Sequence, residues 1–376
     1  MTISEAIGNS IERLMIDNGI SNRQLAELLG VTHPTISKYL RGEQVIDSEK
    51  LSIIAKYFNK PFDYFFSNNS EELPFLFRAD KPALAINEVD VDQIKLKYRQ
   101  YIDVVGKPKY NYIPPKYSLN LDSKKLNDED ETFLEKVANE QRKYFNIEAG
   151  IPDNYYSVVE EKGINVISCH FDNESFFGAS SLSELFGSFI FINSHKTIPE
   201  ERQLFTLFHE YGHLLFHHAD YKSMEYNPYY LSNADLKEKI VNSFAGYFLL
   251  PRQLVKEYID IRGKNVDVFE MKNHFKVSIQ TLYIALRKYD LITQKQSSEF
   301  WAKANKNNWL KFEPFPIAHV NHLDKNVRLV SFLKNLYVSE QISSNKITEV
   351  LGLDMMETRK IIKKWSGADD HYERFA

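Results

Sequence analysis

Apolar residues recur every three to four positions along most of this chain, a period that predicts a mainly helical protein. Ile7, Ile11 and Leu14 mark a first helix. Leu25, Ala26, Leu29, Val31, Ile36 and Leu40 mark two short helices about Gly30. Leu51, Ile54, Ala55 and Phe58 mark a fourth, closed by the run Lys60 to Phe66. Ile94, Tyr98 and Tyr101 suggest another, and Phe133, Val137 and Tyr144 one more from Asp130. The pattern then changes. Gly163–Cys169, Gly178–Leu182 and Ser188–Asn193 are short runs that read as strands. Beyond them, Leu204–Phe216 and Glu238–Leu250 are apolar over so much of their circumference that both helices have to be buried. Residues 269–286 and 342–361 each repeat the order helix, turn, polar cap, helix. The expected fold class is α+β, mostly α, with one small sheet.

Breaks fall at Ser67–Glu72, at Lys107–Tyr117 and at Glu313–Pro316. Pro108, Pro114 and Pro115 exclude a regular element from the second of these, which reads as an extended connector. Residues 367–376 are polar and expected to fray.

Composition narrows the function. With 376 residues the chain is long enough for two or three domains, and an aromatic content of 14% supplies large cores. A net charge of −4 gives no bulk attraction to nucleic acid or to acidic membranes. The one cysteine, Cys169, excludes an internal disulfide and a Cys-rich zinc site, and suits a reducing compartment. It reads as a buried strand residue. No apolar run has the length of a membrane helix and no signal-peptide core is present, so the expected location is the cytoplasm, away from membranes.

The chemistry is concentrated in His209-Glu210-Tyr211-Gly212-His213. Histidines four apart share one helix face and can share one Zn²⁺; Glu210 between them is placed as general base. Two histidines and a glutamate in a buried helix are costly unless paired or metal-bound. A third ligand is needed. The metzincin pattern would put Gly and His where Phe216 and Ala219 stand, so it fails. His217 and His218 follow too soon on the same helix. Glu238, from the next apolar helix, is the preferred ligand, with Asn242 one turn on as its supporting group. Asp235 and Glu225 are rival acids.

These residues resemble the ImmA/IrrE metallo-endopeptidases. The resemblance rests on Asn193 at a strand end, on Arg202, Phe205, Thr206, His209, Glu210, Gly212 and His213, then on Glu238, Asn242, Phe244, Ala245, Leu249 and Pro251. It spans Asp130 to Leu291; Phe208 departs from the small residue usual before the first histidine. It implies zinc ligands His209, His213 and Glu238, a catalytic Glu210, and packing of the 269–286 helix pair against the protease core. It also implies a cytoplasmic protease that cuts a lambda-repressor-type regulator in stress or mobile-element control. The alternative is a regulator or antitoxin that keeps the fold but acts only by binding DNA and a partner.

At the N-terminus Ser21 is a good helix cap, Gly30 permits a sharp turn and Thr32 caps the next helix. His33, Thr35, Ser37 and Lys38 would then face outward as a recognition helix does. Residues 5–66 resemble the XRE (lambda-repressor/Cro) helix-turn-helix family. That implies a double-stranded DNA operator as partner, with Gln24 on phosphate, Asn22 and Arg23 beside it, and base contacts from His33, Thr35, Ser37 and Lys38. Residues 1–67 carry seven Lys/Arg against eight Asp/Glu, so binding as a homodimer on a palindrome is expected. The expected organisation is a five-helix DNA-binding domain at 1–67, a connector at 68–128, a zincin-like peptidase at 129–312 and a helical region at 313–376.

Overall fold

Capping residues and glycine turns divide the N-terminal seventy residues into short helices, and the chain separates into two compact units, Met1–Glu72 and Leu73–Ala376. The computed structural model describes residues 3–58, 60, 62–66, 75–79, 88–106, 112–119, 125–183, 186–218, 221, 234–263 and 266–365. The first unit holds α1 (Ile3–Asp17), α2 (Asn22–Leu29), α3 (His33–Leu40), α4 (Ser48–Tyr57) and a 3₁₀ turn at Phe62–Phe65. Its core is Ile11, Leu25, Ile36, Leu51, Ile54 and Phe65, all buried. Ser21 and Gln24 form a reciprocal capping box at the start of α2. Gly30 closes that helix at φ 63°, a left-handed conformation that costs glycine little. Thr32 sits at the α3 N-cap but makes no cap bond; its hydroxyl pairs with that of Thr35 at 2.9 Å.

The second unit opens with β1 (Phe75–Ala79), α5 (Glu88–Val105), α6 (Asp128–Tyr144) and α7 (Tyr155–Glu161). Then come β2 (Asn165–Cys169), β3 (Phe176–Ser183) and β4 (Gly187–Asn193). The sheet order is β1-β3-β4-β2; β2 runs parallel to β4 and the other pairs are antiparallel. Every residue of β4 is buried. Phe189 and Phe191 enter a core with Ile94 and Tyr101 of α5; Ile190 and Ile192 enter a larger core on the opposite face. Because both faces are covered, β4 reads as a continuous apolar run rather than an alternating one.

The larger core belongs to α8 (Glu200–Phe216) and α9 (Ala234–Leu249), joined by α10 (Arg252–Arg262), α11 (Val268–Phe275), α12 (Ile279–Lys288) and α13 (Gln294–Lys306). Each Phe fully buried there contributes about 1.5–3 kcal/mol. Gly212 lets α8 and α9 approach, since a Cβ there would stand 3.0 Å from Val241 Cβ. The chain ends in α14 (His322–Lys325), α15 (Val327–Val338), α16 (Ser344–Leu351) and α17 (Met355–Trp365).

Two expected connectors are structural. Within 68–128, β1 joins the sheet and α5 buries Ile94, Tyr98 and Tyr101 against it. Residues 112–119 form no regular element, yet Tyr117 N–H bonds Leu215 O at 2.9 Å and Tyr112 O accepts from Ser188 Oγ at 2.8 Å. The Glu313–Pro316 linker is likewise anchored, as described below. Residues 107–111 and 367–376 lie outside the described residues.

Candidate metal centre

The first turn of α8 fixes the helix that carries the site. Glu200 and Glu201 are buried there, favoured by the positive end of the helix dipole. Glu201 takes Lys272 Nζ at 2.6 Å and Ile317 N–H at 2.9 Å, while Glu313 lies 3.3 Å from the same ammonium. Glu200 takes Lys325 Nζ at 2.6 Å and Tyr156 O–H at 3.0 Å. The C-terminal arm is thereby tied to the helix it follows by a hundred residues. Burial pushes the Lys325 ammonium pKa down, against the pull of Glu200.

Two turns on, His209 and His213 project from α8 toward Glu238 of α9. The Nε2 atoms are 3.1 Å apart, and each lies 3.3 Å from a Glu238 carboxylate oxygen. Among the described residues this is the one such His/Cys/Asp/Glu group. Three donors each about 2.0–2.1 Å from a single tetrahedral ion would stand roughly 3.3 Å from one another. The set therefore fits Zn²⁺ in size and in chemistry. Two buried imidazole nitrogens facing each other and a carboxylate also need a positive centre between them. In the ion-free arrangement burial raises the Glu238 pKa, but hydrogen bonds from both imidazoles outweigh it and hold the carboxyl well below its usual range. Asp235 is exposed at the start of α9 and outside the group; Glu225 lies outside the described residues.

The far sides of both rings are also engaged. His209 Nδ1 is 2.9 Å from Asn242 Oδ1, an acceptor only, so Nδ1 donates to it and a bound ion would meet the Nε2 lone pair. His213 Nδ1 is 2.8 Å from His217 Nδ1. Burial lowers the His217 pKa to about 2, so that ring is neutral and shares one proton with His213 across this contact. His217 lies outside the three-donor group, as its spacing predicts, and instead contacts His213, a role beyond the sequence expectation. The signal was available: His209, His213 and His217 form a four-residue series on one helix face.

Glu210 is fully buried, and its Oε2 accepts from Ser180 Oγ at 2.6 Å. Tyr221 O–H donates to the same Ser180 oxygen at 2.9 Å. Gly178, two residues along β3, leaves room for this approach. A Cβ there would stand 2.5 Å from Thr206 Cγ2 and 3.5 Å from Glu210 Cγ. Neither Ser180 nor Tyr221 was anticipated. Asn193 ends β4 as a clamp, donating to Phe176 O at 2.8 Å and accepting from His195 N–H at 2.9 Å. Phe208 stacks on Phe248 with centroids 4.1 Å apart, filling the space a small residue would leave.

Residues 159–287, which hold β2 to β4 and the side chains of His209, His213 and Glu238, match the peptidase family model described as the IrrE N-terminal-like domain; residues 11–65 match that described as helix-turn-helix. The chain joins a helix-turn-helix domain to an IrrE N-terminal-like domain. Two curated relatives are uncharacterized HTH-type transcriptional regulators of Rickettsia conorii and Rickettsia prowazekii. Each is 36% identical over 69 residues, 18% of this chain and 55% or 53% of the relative. The chain thus spans about half the length of these relatives.

In the helix-turn-helix domain, His33 and Lys38 are exposed and Thr35 and Ser37 half-buried on α3, one turn from the buried Ile36 and Tyr39. Gln24 is exposed, but its Oε1 serves the Ser21 cap, which leaves its amide N–H₂ to reach outward. No helix among the described residues is long and apolar enough to cross a membrane.

Proposed function

We propose that this chain is a zinc-dependent endopeptidase joined to its own DNA-binding domain. The observation that carries the reading is the buried Glu210 carboxylate, held by Ser180 and next in sequence to His209 of the His209, His213 and Glu238 triangle. When bound, Zn²⁺ supplies a Lewis acid that polarises a carbonyl and acidifies water. Three protein ligands leave a position open for that chemistry. Glu210 takes a proton from the attacking water and returns it to the leaving amine nitrogen. Ser180, backed by Tyr221, holds the carboxylate in one orientation while it does so.

The substrate class that the fusion favours is a repressor-type regulator, because tethering to an operator raises the local concentration of any protein bound beside it. A substrate peptide can add as an extended strand at a sheet edge. The edge of β3 is taken by β1, with Leu76 opposite Ser180 and Arg78 opposite Gly178. A peptide reaching that edge therefore has to displace β1, and this one observation favours the alternative of a closed, binding-only regulator. Metal analysis tests the site itself. His213→Ala and Glu238→Ala are expected to lose the zinc that wild type holds, and Asp235→Ala to keep it. Full zinc in Glu238→Ala would remove that residue from the ligand set.

A further inference from the structure

Among the described residues three helix-turn-helix pieces occur, and they differ in what their outward faces present. Advancing the numbering by 322 carries the first onto the last without insertion. Ser21 becomes Ser343, and each serine caps an eight-residue helix, α2 or α16. Gly30 becomes Gly352, with φ 63° and 65°, and each closes its helix in the left-handed region. After an equal turn, α3 starts at His33 and α17 at Met355. The buried positions coincide: Leu25 with Ile347, Leu29 with Leu351, Ile36 with Thr358, Tyr39 with Ile361.

The positions corresponding to Ser37 and Lys38 are Arg359 and Lys360. Both are exposed, as are Lys363 and Lys364 in the next turn. The single acid of α17, Glu357, is turned back to the backbone, with Oε2 accepting from Asp354 N–H at 3.3 Å. The middle piece, α11–α12, has the same geometry, with Lys276 in the left-handed position and Ser278 as cap. Its outward positions are apolar and partly covered, with Ile284, corresponding to Lys38, exposed and carrying no charge. Ile279, corresponding to His33, is buried, and Tyr283, corresponding to Ser37, stacks on Phe300 at 3.6 Å. Among the described residues, the middle piece presents an apolar, partly covered face, and α17 presents an exposed basic one.

We infer that α16–α17 is a second double-stranded-DNA-binding element, with α17 laid against the duplex and Arg359, Lys360, Lys363 and Lys364 neutralising phosphates. The inference is independent of the zinc chemistry. Its face is more basic than that of α3, where Lys38 is the one Lys or Arg of the helix. It supplies the phosphate attraction that the balanced charge of residues 1–67 does not.

The test is fluorescence anisotropy of a random-sequence duplex with the full chain over a salt series. Replacing Lys360, Lys363 and Lys364 by Glu is expected to weaken binding by about tenfold or more and to flatten the dependence of log K on log salt by about 2 to 3. Replacing them by Gln should act in the same direction by a smaller factor, which guards against a misfolded Glu variant. Ser37→Glu with Lys38→Glu should leave residual duplex binding that the three lysine changes then abolish. Unchanged affinity and salt slope in both lysine variants would overturn the inference. So would loss confined to single-stranded RNA or anionic vesicles, or complete loss of duplex binding from the α3 changes alone.

Discussion

Asn242 and His217 do not face the metal position, yet they decide what faces it. Each contacts the Nδ1 of one imidazole and so holds that ring with Nε2 turned toward Glu238. Supporting partners of this kind are typically worth 10–100-fold in metal affinity. Asn242→Ala and His217→Ala are therefore expected to bind zinc about 10–100-fold more weakly in a chelator competition, with the fold intact by circular dichroism. Affinity equal to wild type in both would mean that the rings are held by packing alone. Much of this site was legible in the sequence, because His209, Glu210, His213, Glu238 and Asn242 lie on two helices whose period fixes their faces. Ser180 and Tyr221 were not legible. A lone serine in a strand carries no sign of what lies across the core, and the contact of Tyr221 depends on where the chain after α8 returns.

At the scale of elements, α8 is the member that everything else positions. Its N-terminal carboxylates bind two lysines from far along the chain, Lys272 of α11 and Lys325 of α14, with Lys272 and Glu201 both fully buried. Removing one partner of such a pair strands a buried charge, which costs about 3–5 kcal/mol. Lys272→Met is expected to lower the urea midpoint by that amount of stability, and Glu201→Gln in the same chain to restore part of it. No change in midpoint would show that water replaces the ammonium. These pairs join residues 71 or more positions apart, so no local pattern announces them. The same limit hid β1 and the packing of α5. Five residues of strand pair with a partner a hundred positions later, and the nearby prolines made the whole stretch resemble a connector. The helix-turn-helix was read more completely because caps, glycine turns and a 3.6-residue period are all local signals.

For the molecule as a whole, stability and function carry different pH signatures. Glu160 is buried at the end of α7, where its Oε2 accepts from Arg328 N–H at 2.9 Å. Burial, partly offset by that bond and by the Arg328 charge, raises its pKa from 4.5 to about 8. The folded state therefore holds this proton after the unfolded chain has released it. The stability it confers is fully present below about pH 4.5 and lost as pH rises toward 8. Glu160→Gln should flatten that decline in a denaturant series between pH 5 and 9, a range set by the same shift; an unchanged slope would place the titration elsewhere. Two compact units, one a helix-turn-helix and one holding three donors that could bind a metal ion, are what the proposed locally targeted protease requires. The central claim is that Glu210 makes the centre catalytic. The most direct measurement is quantitative proteomics of cells expressing wild type or Glu210→Gln, with zinc measured in both purified proteins. Equal zinc, and new protein termini in the wild-type cells alone, are predicted. Equal zinc with identical termini, and equal control of the regulated genes by both proteins, would contradict the account and leave a regulator that works by binding.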